Sequence, residues 1–323
     1  MTTTYDKVLI EEEALKSSTI SDEKFRELLN RLNKQSVEKH FEAYKDVNWD
    51  APEMQIRIDD PVFELSEDDP LGKTQWYKSL SQEDRARLGL MRTATAAKVG
   101  LEFENVLKRG LLEYAFHLKN NDPSFRYIMH EVTEECHHSM MFQELVNRAS
   151  LDIKGLDRLT KIASYFVVIQ AIFFPELFFL FVLGGEDPID YVQRQMLKKR
   201  NNHPLLEQIM KIHVTEEARH LSFARHYLKN KVPKISRLRR ARLKIAAPFL
   251  LWVMAAQMLY PSRQMIKEFN IPRNVLKEAY RSKEAKATVS ASLAKIRRLF
   301  KELGLIGPVS KKIWQVLGIW AED

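Results

Sequence analysis

Cysteine is nearly absent. Cys136 is the only one in 323 residues, so no disulfide can close within the chain, and a reducing cytoplasm is the expected setting. Met1–Asp6 has none of the apolar core of a secretory signal. Cys136 itself is expected to be a small buried apolar side chain. Glycine and proline are also scarce, ten and twelve, which excludes collagen-like and turn-rich architectures and favours long helices. The chain has no glycine-rich phosphate loop, no flavin or nicotinamide motif, no repeat and no low-complexity tract. Any redox equivalents must therefore come from outside. Hydrophobic residues at 45% and charged residues at 29% exclude disorder and leave ample material for a core.

One long apolar run, Val167–Leu183, raises the question of a membrane span. Gln170, Pro175 and Glu176 interrupt it, and Gly184-Gly185-Glu186-Asp187 closes it. A buried acid needs a partner and a metal cluster supplies one, so the run is expected to be a core helix, and no membrane partner is expected. The net charge of +8 is moderate and concentrates between Lys229 and Lys244. That run reads as a solvated helix face with its loop. No aromatic platform interleaves it, so nucleic acid is not an expected partner.

Punctuation divides the chain. Residues 21–44 read as an appended helix, with Phe25, Leu28, Leu29 and Leu32 at helical spacing. Residues 45–78, rich in Asp, Asn and Pro, read as an extended segment draped over the surface. Helices are expected over about 81–119, 124–149, 157–184 and 187–230, the last interrupted at 201–204. Short connections suggest an antiparallel bundle. Segments 235–260 and 261–318 pack outside it. One compact domain results, with an N-terminal part to residue 80, a bundle over 81–230 and C-terminal helices over 231–323.

The chemistry lies in two stretches, Glu134-Glu135-Cys136-His137-His138 and His213 to His220. Glu135/His138 and Glu217/His220 each place a carboxylate and an imidazole three residues apart, on one helix face. Two such pairs, each joined by a Glu from another helix, form the ligand set of dinuclear carboxylate bundles. A lone Glu-x-x-His arises by chance, but two on inward faces do so far less often. Glu104 shares its face with Ala97, Leu101, Leu111 and Ala115. It is preferred to Glu102, which looks solvated, and to Glu113, which lies near the helix end. Glu134/His137 competes with Glu135/His138, and Glu131 is placed behind them. Glu176 is the only acid between Asp157 and Glu186, with Glu186 its runner-up in a loop. His213 precedes Glu217 by one turn on the same face, and Glu216 is expected to point outward. The metal ligands expected are therefore Glu104, Glu135, His138, Glu176, His213, Glu217 and His220. A carboxylate and imidazole set without thiolate suits iron or manganese better than structural zinc.

This order, Glu104, Glu135-x-x-His138, Glu176, His213-x-x-x-Glu217-x-x-His220, resembles the p-aminobenzoate N-oxygenase family of di-iron oxygenases. His213 is the extra ligand that marks that family. The Trp76–Ser81 entry into the first bundle helix is similar as well, and the likeness extends over roughly 50–260. It implies an all-α, ferritin-like four-helix core with added terminal helices and a site holding two Fe ions, with Mn the alternative. It implies O2 as co-substrate and oxidation of a small-molecule amine, aryl amine to hydroxylamine and nitro product, through a peroxo species. It also implies a ferredoxin or reductase as electron donor, for which the basic 229–244 run is a docking patch, and a homodimer. The competing readings are a di-iron hydroxylase or desaturase acting on a carrier-bound or lipid-like substrate, and a ferritin-like metal-binding protein.

Overall fold

The computed structural model describes residues 20–198 and 201–321; the Met1–Asp6 opening lies outside them. Described residues outside loops are helical, and no strand occurs among them. The elements are α1 (Asp22–Glu38), short 3-10 turns at Pro52–Met54 and Pro61–Phe63, α2 (Gln75–Lys78), α3 (Gln82–Phe116), α4 (Ser124–Arg148), α5 (Arg158–Phe173), α6 (Pro175–Leu197) and α7 (Pro204–Lys231). After a 3-10 turn at Val232–Lys234 come α8 (Arg237–Leu259), α9 (Arg263–Glu268), α10 (Arg273–Arg281), α11 (Lys283–Ser292), α12 (Ala294–Glu302) and α13 (Pro308–Val316).

Local chemistry sets the boundaries. Ser81 caps α3 by accepting from the Asp84 N–H, and Asp157 caps α5 by accepting from Thr160. Asn121 adopts a left-handed φ of 67° in the turn between α3 and α4, a conformation asparagine tolerates. The expected single helix over 157–184 is two helices. Phe174 (φ −146°, ψ 64°) leaves the helical region and Pro175 restarts the chain at the first position of α6, where its missing N–H costs nothing. Gly184-Gly185 was expected to end a helix, yet α6 runs through both. A Cβ on Gly184 would lie 2.8 Å from Leu251 Cδ2 and 3.1 Å from Met254 Sδ. The glycines let α8 approach α6 closely and do not stop it.

Cross-contacts fix the topology. Ser139 meets Glu104 and Gln143 meets Lys98, so α4 runs antiparallel to α3. The Leu156 N–H binds Glu102 while Ser164 binds Arg109, so α5 runs parallel to α3. Phe181 faces Phe103 and Phe178 faces Gly110, so α6 returns antiparallel. Phe179 packs on Phe223 and Tyr227 while Glu186 lies beside His213 and Glu217, so α7 runs antiparallel to α6. The bundle is therefore α3, α4, α6 and α7, with α4 and α6 parallel. Short antiparallel connections alone do not build it. Helix α5 is the crossover that a ferritin-like core requires between its second and third helices. On the outer side of α6, α8 runs parallel to it, with Arg239 beside Glu176 and Leu251 beside Gly184.

Two apolar cores lie above and below the middle of the bundle. One gathers α1, the start of α6, the end of α7 and the C-terminal helices around Phe178, Phe179, Phe223 and Trp314. The other includes the 45–78 segment, expected to drape over the surface. Val47, Trp49, Phe63 and Leu71 are buried against α3 and α4, and Trp49 Nε1 donates to the Ala43 carbonyl at 2.7 Å. Its polar composition reflects turns, while its few apolar residues close one end of the bundle.

Candidate metal centre

Between the two cores the inward faces of α3, α4, α6 and α7 carry acids and imidazoles in place of apolar residues. Six of the seven residues expected from the sequence meet there. Glu135, His138, Glu217 and His220 present ligand atoms within 4.8 Å of one another; so do Glu104, His138 and His213, and so do Glu186, His213 and Glu217. The three sets overlap at His138, His213 and Glu217, giving one centre of four carboxylates and three imidazoles. All seven are 4% exposed or less.

Glu176 is the expected member that stands apart. Arg239 donates to its Oε2 at 2.7 Å and lies over the Phe174 ring. The metal cluster was the partner expected for this acid; Arg239 of α8 supplies the positive charge instead. Glu186 takes its place in the centre because α6 continues helically through Gly184-Gly185 and turns Glu186 inward. Among the other candidates, Glu102 holds the α5 entry through the Leu156 N–H and Lys161, and Glu113 is exposed. His137 accepts from the Ala43 N–H at 3.2 Å. Cys136, expected to be buried, is exposed on α4.

A second layer holds the imidazoles. His138 Nε2 lies 2.9 Å from Glu216 Oε2, and His220 Nε2 lies 2.7 Å from Glu134 Oε2. A carboxylate only accepts, so each Nε2 donates to its outer acid, which turns each Nδ1 towards the centre. His138 Nδ1 is 3.4 Å from Glu135 Oε2, and His220 Nδ1 is 3.0 Å from both Glu135 Oε1 and Glu217 Oε1. Arg219 lies between the outer acids, 2.9 Å from Glu134 Oε1 and 3.5 Å from Glu216 Oε1. The expectation that Glu216 faces outward is corrected: it is fully buried and also accepts from the Phe41 N–H at 3.1 Å. The signal was the Glu-Glu doublet itself. The residue before an inward Glu lies about 100° around the helix, which points Glu134 from α4 towards α7 and Glu216 from α7 towards α4.

The electrostatics call for cations. Burial, then repulsion from Glu217, Glu135 and Glu104, raises Glu186 well above the carboxylate range. Glu104 is raised chiefly by burial. Burial is also the largest influence on Glu135, but the facing imidazoles of His138 and His220 outweigh it and hold that acid low. Both imidazoles are pushed well up: burial opposes their charge, and the surrounding glutamates overcome it. Glu104 Oε1, both Glu135 oxygens, Glu217 Oε2 and the Nδ1 atoms of His138 and His213 are buried without a hydrogen-bond partner. Buried acceptors in such number are costly unless they face positive charge. Two divalent ions fit that demand in charge and in donor type.

Comparison with known proteins agrees with this chemistry. The family model described as P-aminobenzoate N-oxygenase AurF matches residues 22–304. The uncharacterized proteins Rv0885 of Mycobacterium tuberculosis H37Rv and Mb0909 of Mycobacterium bovis are each 39% identical over 300 residues, covering 92% of this chain and 88% of theirs. No solved structure matches.

Proposed function

The chain belongs to the p-aminobenzoate N-oxygenase family, and from that premise we propose a di-iron oxygenase that oxidises the nitrogen of a small-molecule amine with O2. The observation that carries the reading is the third imidazole: His213 Nε2 lies 3.6 Å from Glu104 Oε1 and 3.9 Å from Glu217 Oε1. It therefore stands with the two Glu-x-x-His pairs, at the place where the family pattern has its extra histidine. Glu104, Glu135, His138, Glu186, His213, Glu217 and His220 would hold the ions. Once bound, two irons supply O2 activation and redox chemistry, with electrons from an external ferredoxin or reductase.

The chain's own residues prepare the site. Glu134 and Glu216 fix the two imidazole planes and tautomers. Arg219 ties those two acids together. The cores above and below keep bulk water away, and Phe142 packs its ring 5.1 Å from that of His213. Metal entry must displace the protons that His138, His220 and the raised acids hold, so loading is expected to release protons.

The test is reconstitution with ferrous iron under anaerobic conditions, metal analysis, then single turnover with an aryl amine and labelled O2. About two irons per chain are expected, with label on the product nitrogen. Label on carbon would transfer the site to the hydroxylase reading, and metal uptake with no product would favour a binding protein. Substoichiometric loading with iron and with manganese would remove the dinuclear premise. His213→Ala is expected to leave a metal-binding protein with altered spectra and reduced N-oxidation; unchanged spectra and turnover would separate His213 from the site.

A further inference from the structure

The crossover helix α5 is apolar in composition yet buries few of its side chains. Only Ser164 and Ala171 are fully buried, and Val167 and Val168 pack against the core partly buried. Leu159, Ile162, Phe166, Ile169 and Phe173 recur at helical spacing along its outer side and are 47–78% exposed. Helix α8 repeats the pattern, with Ile245, Phe249, Trp252 and Val253 at 44–50% exposure. Both helices pack on α6 and run antiparallel to each other, and Arg239 of α8 lies over Phe174, the residue that follows α5. Beyond α8, α13 adds Val309 and Val316, 70% and 78% exposed, beside an apolar groove of about 480 Å³ lined by Phe249, Val309 and Ile313. Isolated exposed apolar residues are ordinary, but contiguous ones mark a contact surface.

Charge decides what makes the contact. Helices α5, α8 and α13 contain no Asp or Glu at all, against two, five and two Lys or Arg respectively. The cations cluster at the first turns of α5 and α8, which the antiparallel arrangement puts at opposite ends of the face. Of these cations Lys161 pairs with Glu102 and Arg239 with Glu176, which leaves the exposed Arg158, Arg237 and Arg242 facing outward at the two ends. An anionic bilayer surface complements both features: lipid headgroups for the basic ends, the acyl boundary for the aromatic and aliphatic middle.

We infer that α5 and α8 form a peripheral docking face for an anionic lipid bilayer, lying on it without spanning it. This reverses the expectation that no membrane takes part. The stretch Arg237–Glu268 has an 18-residue window of mean hydropathy 1.5, with 33% of it buried, which meets the length and composition of a span. The helix is nevertheless broken at 260–262 by Tyr260-Pro261-Ser262 and is anchored to α6 through Leu251, Met254 and Arg239.

The experiment is co-sedimentation of the full-length, metal-loaded protein with vesicles of phosphatidylcholine alone and of phosphatidylcholine with phosphatidylglycerol. Binding is expected to the second kind only, weakening as salt is raised. Arg237→Glu with Arg242→Glu is expected to weaken it at least about tenfold, as is Phe166→Ser with Phe173→Ser. Tyr44→Ser, which removes an exposed ring from the other end of the bundle, is expected to leave it unchanged. Trp252 emission is expected to shift to the blue on binding, and Trp252→Phe to lose that shift. Metal content and far-ultraviolet circular dichroism of each variant check that it is folded. No binding to anionic vesicles, or binding that survives both double substitutions in folded protein, would overturn the inference. A dimer that dissociates on Phe166→Ser with Phe173→Ser, without vesicle binding, would assign the face to a second copy and overturn it equally.

Discussion

Glu134 and Glu216 each stand one residue before a carboxylate of the centre, and each grips the imidazole of the opposite helix. Their contribution to metal affinity is separable from that of the ligands. Glu216→Ala is expected to lower metal affinity about 10–100-fold, the usual cost of losing an outer carboxylate on a ligating histidine, while the metal count at saturation is kept. Competition with a graded series of chelators measures it, and unchanged affinity would show that His138 needs no support. Glu186→Gln and Glu176→Gln make a second contrast. The first is expected to lower the stoichiometry at limiting metal, the second to leave it intact because Glu176 serves Arg239. Metal analysis decides, and loss of metal in Glu176→Gln would return that residue to the centre. Inward faces could be read from the spacing of apolar neighbours, which is how Glu104, Glu135 and Glu217 were legible. The partner of Glu176 was not legible, because Arg239 is 63 positions away and no helical period reports it. Glu216 was hidden for a similar reason: a position at the side of a helix looks solvated until a neighbouring helix covers it.

Helices pack here by close approach at small residues. A Cβ on Gly184 would meet the branched end of Leu251, and one on Gly110 would fall 2.1 Å from the Phe178 ring. Gly184→Val is expected to destabilise the protein by about 1–3 kcal/mol, the range for overpacking a filled core, and to disturb Glu186, two residues on. Thermal melts of metal-free and metal-loaded protein check both parts: the metal-free midpoint should fall, and the gain on loading should shrink. Gly110→Ala is expected to act through the rigid Phe178 ring with less effect on metal, since its contact lies in the upper core. The same glycines explain which helices were legible. The long amphipathic elements α3, α4 and α7 follow from their periodicity and caps. The division at Phe174-Pro175 and the continuity through Gly184-Gly185 were assigned the other way round, because glycine signals both a helix end and a close packing site. Without that division the crossover α5 disappears and four antiparallel helices remain.

Across the whole molecule the centre is a buried acidic layer between two apolar cores. Seven carboxylates, from Glu104, Glu131, Glu134, Glu135, Glu186, Glu216 and Glu217, share the space with Arg219 and three imidazoles. Without metal the layer holds protons instead. Burial, partly offset by His220, raises Glu131 to about 8, and Glu104 and Glu186 are raised as well. The folded state then binds more protons than the unfolded chain above the ordinary carboxylate range, and stability falls as pH rises. His138 and His220 act in the same direction: their raised values give stability that is present below about pH 6.5 and lost as pH climbs through the folded values. Glu134 works oppositely. Burial would raise it, but the His220 hydrogen bond and charge and then Arg219 hold it at about 2, so its contribution is complete above the unfolded value and lost only in acid. Between about pH 6 and pH 8 the net slope is therefore negative, on the order of 1.4 kcal/mol per pH unit for each extra proton held. The melting temperature of the metal-free protein is expected to drop across that window. Ferrous or manganous ion is expected to raise it and to flatten the drop, because the cations replace the protons. Glu131→Gln should weaken the pH dependence of the metal-free form while sparing metal uptake, since Glu131 neutralises no ion in the assigned set. Calorimetric melts over the window, with chelator and with metal, read all three effects. A metal-free midpoint that holds or rises towards pH 8 would mean that the acidic layer is not protonated in the folded protein, and that something other than metal balances its charge.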